Sequence, residues 1–422
     1  MRRLGLRGEF ARNVGVLAGG TALGQAIVVL ASPLITRLYD PADFGGYAAV
    51  ASLVSILSIL APLGYHRAIP LPASDDSAAA LVLLSVLASA VMSVVAGVVL
   101  WVGGSQILDL LNSPQVGSLL WIVIPGQLAA ALYGIVSTWA LRERAFPAIA
   151  ATRFAQGAST VALQFVLSGL GGAGLVVGDV VGRAAGTARL GLWMLRSQLP
   201  HMRRVTTASL RAVAGRYRRF PIYTNASALL DALGLELPIL IMLGLYGPGT
   251  GGLYLLVARV AGIPAGLVGV AASQVTFADA ARMGDDPVRL RGLMRMTTRR
   301  LLMLAVVPAL LAAMIAPAAF PVVFGAEWVD AGWYLTMLVP MYVLQFVAAP
   351  TGAILAVLER QDLGLLRDAL RVVLFGSAAL IAVAYSLPPV ATVAAISVSG
   401  AVGYVIYQLI PLFALRAHER NS

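Results

Sequence analysis

YDPADFGGY fills residues 39–47, and YGPGTGGLY fills residues 246–254. Tyr39, Pro41, Gly45 and Tyr47 recur as Tyr246, Pro248, Gly252 and Tyr254, at one constant offset close to half of the 422-residue chain. Proline sets a turn and glycine lets the next segment begin close by. A tyrosine on either side suits the headgroup level of a membrane, where its ring is apolar and its hydroxyl wet. The likeness continues upstream. SPLITRLYDP stands beside LPILIMLGLYGP, with Pro33 and Pro238 ahead of the tyrosines. Arg12 opens the first stretch, and Arg218 or Arg219 opens the second. The pattern predicts two duplicated halves.

The composition places those halves in lipid. The chain is 59% hydrophobic and 12% charged, with a mean hydropathy of +0.87; soluble domains carry about twice that charge. It has no cysteine, which excludes disulfides, thiolate zinc sites and thiol catalysis. His66, His201 and His418 are scattered, so a histidine metal centre is not expected. No phosphate-binding loop for ATP is present.

A span needs about 20 apolar residues. Twelve runs meet this, near 13–36, 44–65, 79–103, 118–140, 149–168, 172–194, 221–245, 251–276, 301–324, 332–357, 366–386 and 389–414. The expected fold is an all-α integral membrane protein with two six-helix bundles, residues 1–195 and 221–422, joined by a cytoplasmic amphipathic linker at 196–220. All 30 basic residues are arginine. Apart from Arg37, Arg183, Arg189 and Arg259, they fall at the termini and in alternate connections. Positive charge collects in cytoplasmic loops, so both termini are expected in the cytoplasm. This placement explains the net charge of +11 without nucleic acid. SLRAVAGRYRRF, within the linker, reads as an amphipathic segment lying on the inner leaflet. The acidic pairs in SDDS (74–77) and GDDP (284–287) read as helix caps, with Asp285 before Pro287. Even-numbered halves point the same way, a build common among secondary transporters.

A charge inside a span costs about 3 kcal/mol at the bilayer centre, which makes each one a functional candidate. Asp179 and Arg183 are four residues apart on one face of the sixth run, with Arg189 beyond. The seventh carries Asp231 and Glu236, and the eighth Arg259. Arg37 ends the first run. Glu236 and Arg259 lie at similar depths, about 12–15 Å from the outer turn. Two readings stand. These groups are ion pairs that hold helices together, or Arg183 and Arg259 face a cavity and bind an anionic head. In the second reading the acids orient the arginines or take up a coupling cation. Gln25 and Asn225 add polar groups to the duplicated first and seventh runs. Pro33, Pro238 and Pro264 are expected to break their helices and free carbonyls near the midplane.

RNVGVLAGGTALGQAIVVLASPLITRLYDPADFGGYAAVASLVSIL and YRRFPIYTNASALLDALGLELPILIMLGLYGPGTGGLYLLVARVAGIP resemble bacterial oligosaccharide flippases of the Wzx type. The arrangement RLYxPxDFGxY carries most of the specificity. The resemblance implies a V-shaped member of the multidrug/oligosaccharidyl-lipid/polysaccharide (MOP) exporter superfamily in the bacterial cytoplasmic (inner) membrane. It implies movement of an undecaprenyl-diphosphate-linked repeat unit to the periplasmic leaflet, for O-antigen, capsule or exopolysaccharide. The implied partners are that lipid-linked glycan, membrane lipids, and polysaccharide polymerase and chain-length machinery. No cofactor is implied. Arginine suits a diphosphate by its forked geometry, which brings Arg259, Arg183 and Arg37 forward.

Neighbouring readings are a MurJ-type lipid II flippase, which usually has two further helices, and a MATE drug exporter. The latter's cationic cargo would favour Asp179, Asp231 and Glu236. A membrane-embedded polysaccharide enzyme would need a sizeable external loop, and the longest arginine-poor connection is about fifteen residues.

Overall fold

The structure is a computed structural model. It describes the backbone of residues 2–284, 286–358 and 360–421. It describes side chains in the same ranges apart from 2–14, 16–18, 263–268, 270–271, 353, 356, 361 and 417–421. Asp285 and the side chains of Arg12 and Pro264 therefore lie outside what is described.

The described chain is almost wholly helical. Its helices are α1 (Arg2–Ile35), α2 (Pro41–Leu60), α3 (Asp75–Leu110), α4 (Val123–Arg142), α5 (Phe146–Val166), α6 (Gly172–Met202) and α7 (Thr207–Arg216). There follow α8 (Asn225–Met283), α9 (Pro287–Phe324), α10 (Val329–Ala348), α11 (Thr351–Val357), α12 (Gln361–Ala384) and α13 (Pro389–Asn421). Seven stretches among the described residues are long and apolar enough to cross a bilayer. The twelve apolar runs lie mainly on helices, but α1, α5, α6 and α12 are not among the seven stretches; the described apolar part of α1, Gly19–Ile35, is short, and the other three carry more polar residues. These are Arg153, Gln156 and Gln164 on α5, Asp179, Arg183 and Arg189 on α6, and Arg367, Asp368 and Arg371 on α12. The seventh run and the start of the eighth fall in one long apolar stretch, Phe220–Gly262.

The proline breaks are not observed. Pro33 sits inside α1, two residues before its end. Pro238 and the backbone of Pro264 lie within α8. The one non-helical residue inside α8 is Gly247, at φ 82° and ψ −177°. Proline removes one donor but keeps a helical φ. In lipid the remaining backbone groups have no other partners, so the ladder continues past it. The break comes where glycine alone tolerates positive φ, between the two apolar runs.

Two compact units emerge. Unit 1 is Met1–Tyr39 with Gly46–Ala232, and unit 2 is Asp40–Gly45 with Leu233–Ser422. Within unit 1, α6 carries Gly174, Gly178, Gly182 and Gly186 at four-residue steps. A methyl group at these positions would overlap the backbone of Leu167, Gln164, Thr160 and Gln156 in turn. This close approach of small residues is how helices pack where lipid offers no hydrophobic drive. Gln156 Nε2 then donates to the Thr187 hydroxyl at 2.8 Å, and Gln164 Nε2 to the Leu175 carbonyl at 3.2 Å. The polar groups of α5 thus serve the α5–α6 seam.

The amphipathic segment departs from expectation. α7 begins at a capping box, with Thr206 and Ser209 each bonding the other's backbone N–H. Val213 and Tyr217 are buried in a core with Ile69, Trp139, Leu190 and Met194. Its apolar stripe is committed to protein packing rather than to the leaflet, while Arg211, Arg216, Arg218 and Arg219 stay exposed. A π turn over Phe220–Thr224 leads into α8. Ser74 caps α3 by accepting from the Ser77 N–H, and Asp286 caps α9 by accepting from Val288 and Arg289.

Unit 2 is built on α9, α10, α12 and α13 packed around Trp328, Phe44 and Phe375, all fully buried. Phe44 belongs to the first repeated turn, and its ring meets Trp328 edge-on at 4.9 Å. The two turns lie together here. A methyl on Gly45 would overlap the Pro248 carbonyl, and a methyl on Gly252 would overlap the Pro41 carbonyl. The fixed proline and glycine of each copy therefore form one reciprocal contact, at Gly45–Pro248 and Gly252–Pro41. The leading tyrosines match as well. Tyr39 donates to the Gln164 carbonyl in unit 1, and Tyr246 to the Leu387 carbonyl in unit 2, each at 2.6 Å.

Candidate functional site

In unit 1 the charged centre is on α6. Arg183 Nε donates to Asp179 Oδ1 at 2.7 Å. The four-residue spacing puts both on one helix face. Asp179 keeps 11% of its side-chain surface and Arg183 keeps 57%. The acid is therefore an internal anchor and the guanidinium is presented outward. Tyr47, the last tyrosine of the first repeat, is buried and lies within hydrogen-bond reach of Arg183. Arg189 is exposed further along α6. Arg37 is exposed in the turn after α1, and Gln25 is exposed on α1.

Asp231 is exposed on the unit 1 part of α8, in the electrostatic field of Arg67. Asn225 is the first residue of α8, directly after the π turn, and is buried beside Gly64, whose φ is +72°.

In unit 2, Arg259 is half-buried, with its guanidinium 5.6 Å from the centre of the Phe44 ring. Arginine over an aromatic face gains cation–π attraction while keeping its edge donors for an anion. Glu236 is half-buried on the same helix, and both residues hold interactions of their own.

A second charged centre in unit 2 escaped the reading of the sequence, which grouped its arginines with the cytoplasmic loops. Asp368 and Arg371 are buried on α12. Arg367 meets Asp368 at 3.2 Å, and the Tyr407 hydroxyl donates to Asp368 at 3.0 Å. Arg367 and Arg371 lie over the Tyr407 ring, at 4.5 and 5.8 Å. Gly234 on α8 leaves room for this cluster, since a methyl there would overlap Arg371 Nε. The signal was present in Arg367, Asp368 and Arg371 at helical spacing inside an otherwise apolar run. Next to it, buried Tyr254 and half-buried Tyr342 are hydrogen-bonded to one another.

Both centres share a design: an arginine held by a buried aspartate and a tyrosine. Such a group is positioned in advance for a phosphate or carboxylate. Among the described residues no three His, Asp or Glu side chains gather as a metal site.

The chain resembles an inward-facing MATE-family multidrug resistance transporter of the MOP superfamily, with a TM-score of 0.71 and 15% identity over 94% of this chain and 99% of that one. It resembles the lipid II flippase MurJ in an inward closed conformation, with a TM-score of 0.74 and 10% identity over 95% and 87%. A MOP superfamily transporter from Pyrococcus furiosus, described as having a binding pocket of reversed polarity, gives 0.63 and 14% over 96% of each chain. At these identities the likeness is one of fold. No curated protein sequence matches significantly. The profile of a family described as polysaccharide biosynthesis protein matches residues 34–332, well over half of the chain. The chain is a multi-pass membrane protein with a MOP-exporter fold, and it belongs to that polysaccharide biosynthesis family.

Proposed function

We propose that this protein is a flippase. It carries an undecaprenyl-diphosphate-linked oligosaccharide from the cytoplasmic to the periplasmic leaflet of a bacterial inner membrane, by alternating access. Twelve spans with both termini in the cytoplasm complete the proposal, as the alternation of arginine-rich and arginine-poor connections supports. One observation carries the substrate class: Arg183, anchored by buried Asp179 and presented outward, in a chain of a polysaccharide biosynthesis family. A diphosphate needs cations of fixed orientation, and the anchored arginine supplies one. Arg259 and Arg367 are the further candidates. The reaction is translocation, with no bond made or broken.

Deletion in the native host tests this. Surface polymer should disappear while single lipid-linked units accumulate facing the cytoplasm. Unchanged polymer and lipid-linked pools, together with greater sensitivity to cationic drugs, would make the protein a drug exporter instead. The buried acids Asp179 and Asp368 give that second reading its footing.

A further inference from the structure

Unit 1 carries a groove that the charged centres do not use. It holds about 620 Å³, within the range of small-molecule sites. One wall is the last third of α3, and the other is the 3-10 turn Pro114–Ile122 with the start of α4. The walls run antiparallel: Gly97 faces Ile124, Gly104 faces Leu120, and Leu108 faces Gly117. The glycines keep the floor low. Each wall contributes one indole, Trp101 at 87% exposure and Trp121 at 66%. The facing pairs put both indoles at one level. Asp109 lines the groove about 12 Å further along α3, two helical turns on.

Asp109 is at the wrong end of its helix. It lies in the last turn of α3, where no basic residue is present and the carbonyls already concentrate negative charge. A cation is favoured at a helix C-terminus and an acid is not. Among the described residues the Asp109 carboxylate forms no ion pair or side-chain hydrogen bond, and no basic residue lines the groove. A headgroup of net negative charge, with no cation of its own, would meet repulsion here. An ammonium would satisfy both the carboxylate and the helix end.

We propose that this groove binds an aminophospholipid. Its ammonium pairs with Asp109, its ester carbonyls accept hydrogen bonds from the Trp101 and Trp121 indole N–H groups, and an acyl chain lies over Gly97 and Gly104. Indoles favour this level of a bilayer because one edge is polar and the rest apolar. The rise of about 12 Å from indoles to carboxylate is spanned by the ethanolamine, the phosphate and the glycerol ester region together.

The purified full chain is reconstituted in vesicles whose minor component is brominated phosphatidylethanolamine or, at equal share, brominated phosphatidylglycerol. Bromine quenches indole fluorescence on contact. The ethanolamine lipid should be preferred by about five-fold, the worth of one exposed ion pair. Asp109→Asn should abolish the preference, and Asp109→Glu should keep it. Replacing Trp101 and Trp121 with Phe should remove the excess quenching from a protein with six tryptophans. Equal quenching by the two lipids, or a preference that survives Asp109→Asn, overturns the proposal. Native mass spectrometry of the unaltered protein, released from a mixture of both lipids, gives a second reading without any variant. Retained phosphatidylethanolamine supports the site, and retention of neither lipid or of phosphatidylglycerol overturns it.

Discussion

Gly45 lies against the carbonyl of Pro248 so closely that no side chain fits between them. Gly252 meets Pro41 in the same way. A backbone carbonyl cannot rotate aside as a side chain can. Gly45→Ala and Gly252→Ala should each destabilise the protein by about 1–3 kcal/mol, the usual cost of overpacking. Gly249, in the same turn, has open space around it. Gly249→Ala should be neutral, or stabilising by up to about 1 kcal/mol. Thermal unfolding of the three variants in detergent checks the contrast.

Tyr39 and Tyr246 each close a hydrogen bond of 2.6 Å to a distant carbonyl. Replacing either with Phe should cost about 1 kcal/mol. The bonds lie in different units and share no partner, so the double variant should show the sum to within about 0.5 kcal/mol. A markedly smaller loss in the double variant would show the two tyrosines to be coupled.

Asp179→Asn keeps the shape of the anchor but weakens its hold on Arg183. Export of lipid-linked sugar should fall by about tenfold, as expected for one charge-assisted hydrogen bond. Arg183→Lys should lose a similar factor by sacrificing the forked donors. If export persists in Arg183→Ala at normal protein level, Arg183 is not part of the substrate site.

His66 lies in a 3-10 turn between α2 and α3, with Nδ1 buried and unpartnered among the described residues. Burial, helped by Arg67, lowers its pKa from 6.5 to about 4. The folded protein therefore holds it neutral where the unfolded chain would protonate it. This contribution to stability is complete above pH 6.5 and is lost as pH falls toward 4. The unfolding temperature should drop over that window, and His66→Leu should flatten the drop. A wild-type profile that does not change between pH 6.5 and 4 would be the contrary result.

Gly234→Val would push into the Arg371 guanidinium. The buried cluster with Asp368 and Tyr407 would then lose its packing, with an expected loss of about 2–3 kcal/mol. Thermal unfolding checks it, with Gly376→Ala, at another glycine with open space, as the control.

The helices were readable from the chain because a bilayer demands about 20 apolar residues and tolerates few exceptions. The duplicated turn was readable because glycine and proline mark backbone constraints directly. Side-chain roles were less so. Arg367 and Arg371 looked like loop charges, because charge near the end of an apolar run has the same signature whether it faces the cytoplasm or a partner helix. Pro238 looked like a break because its cost is local, whereas the lipid's penalty on unpaired backbone is shared along the helix. α7 looked like a membrane-surface segment because an amphipathic stripe does not say which apolar surface it will meet. Asp179–Arg183 stood out because both members lie on one helix, four residues apart.

The splitting of the repeat between units bears on the order of synthesis. Residues 40–45 belong to unit 2 although their chain neighbours belong to unit 1, and residues 221–232 belong to unit 1 although the second half begins with them. Each half of the chain thus donates a piece to the other's body. A ribosome finishes Phe44 long before Trp328, the residue that covers it. The first half emerges as an incomplete object and waits for the second. Two separately expressed fragments, cut at the α7 connection, should complete one another by mutual loan, and neither should mature alone.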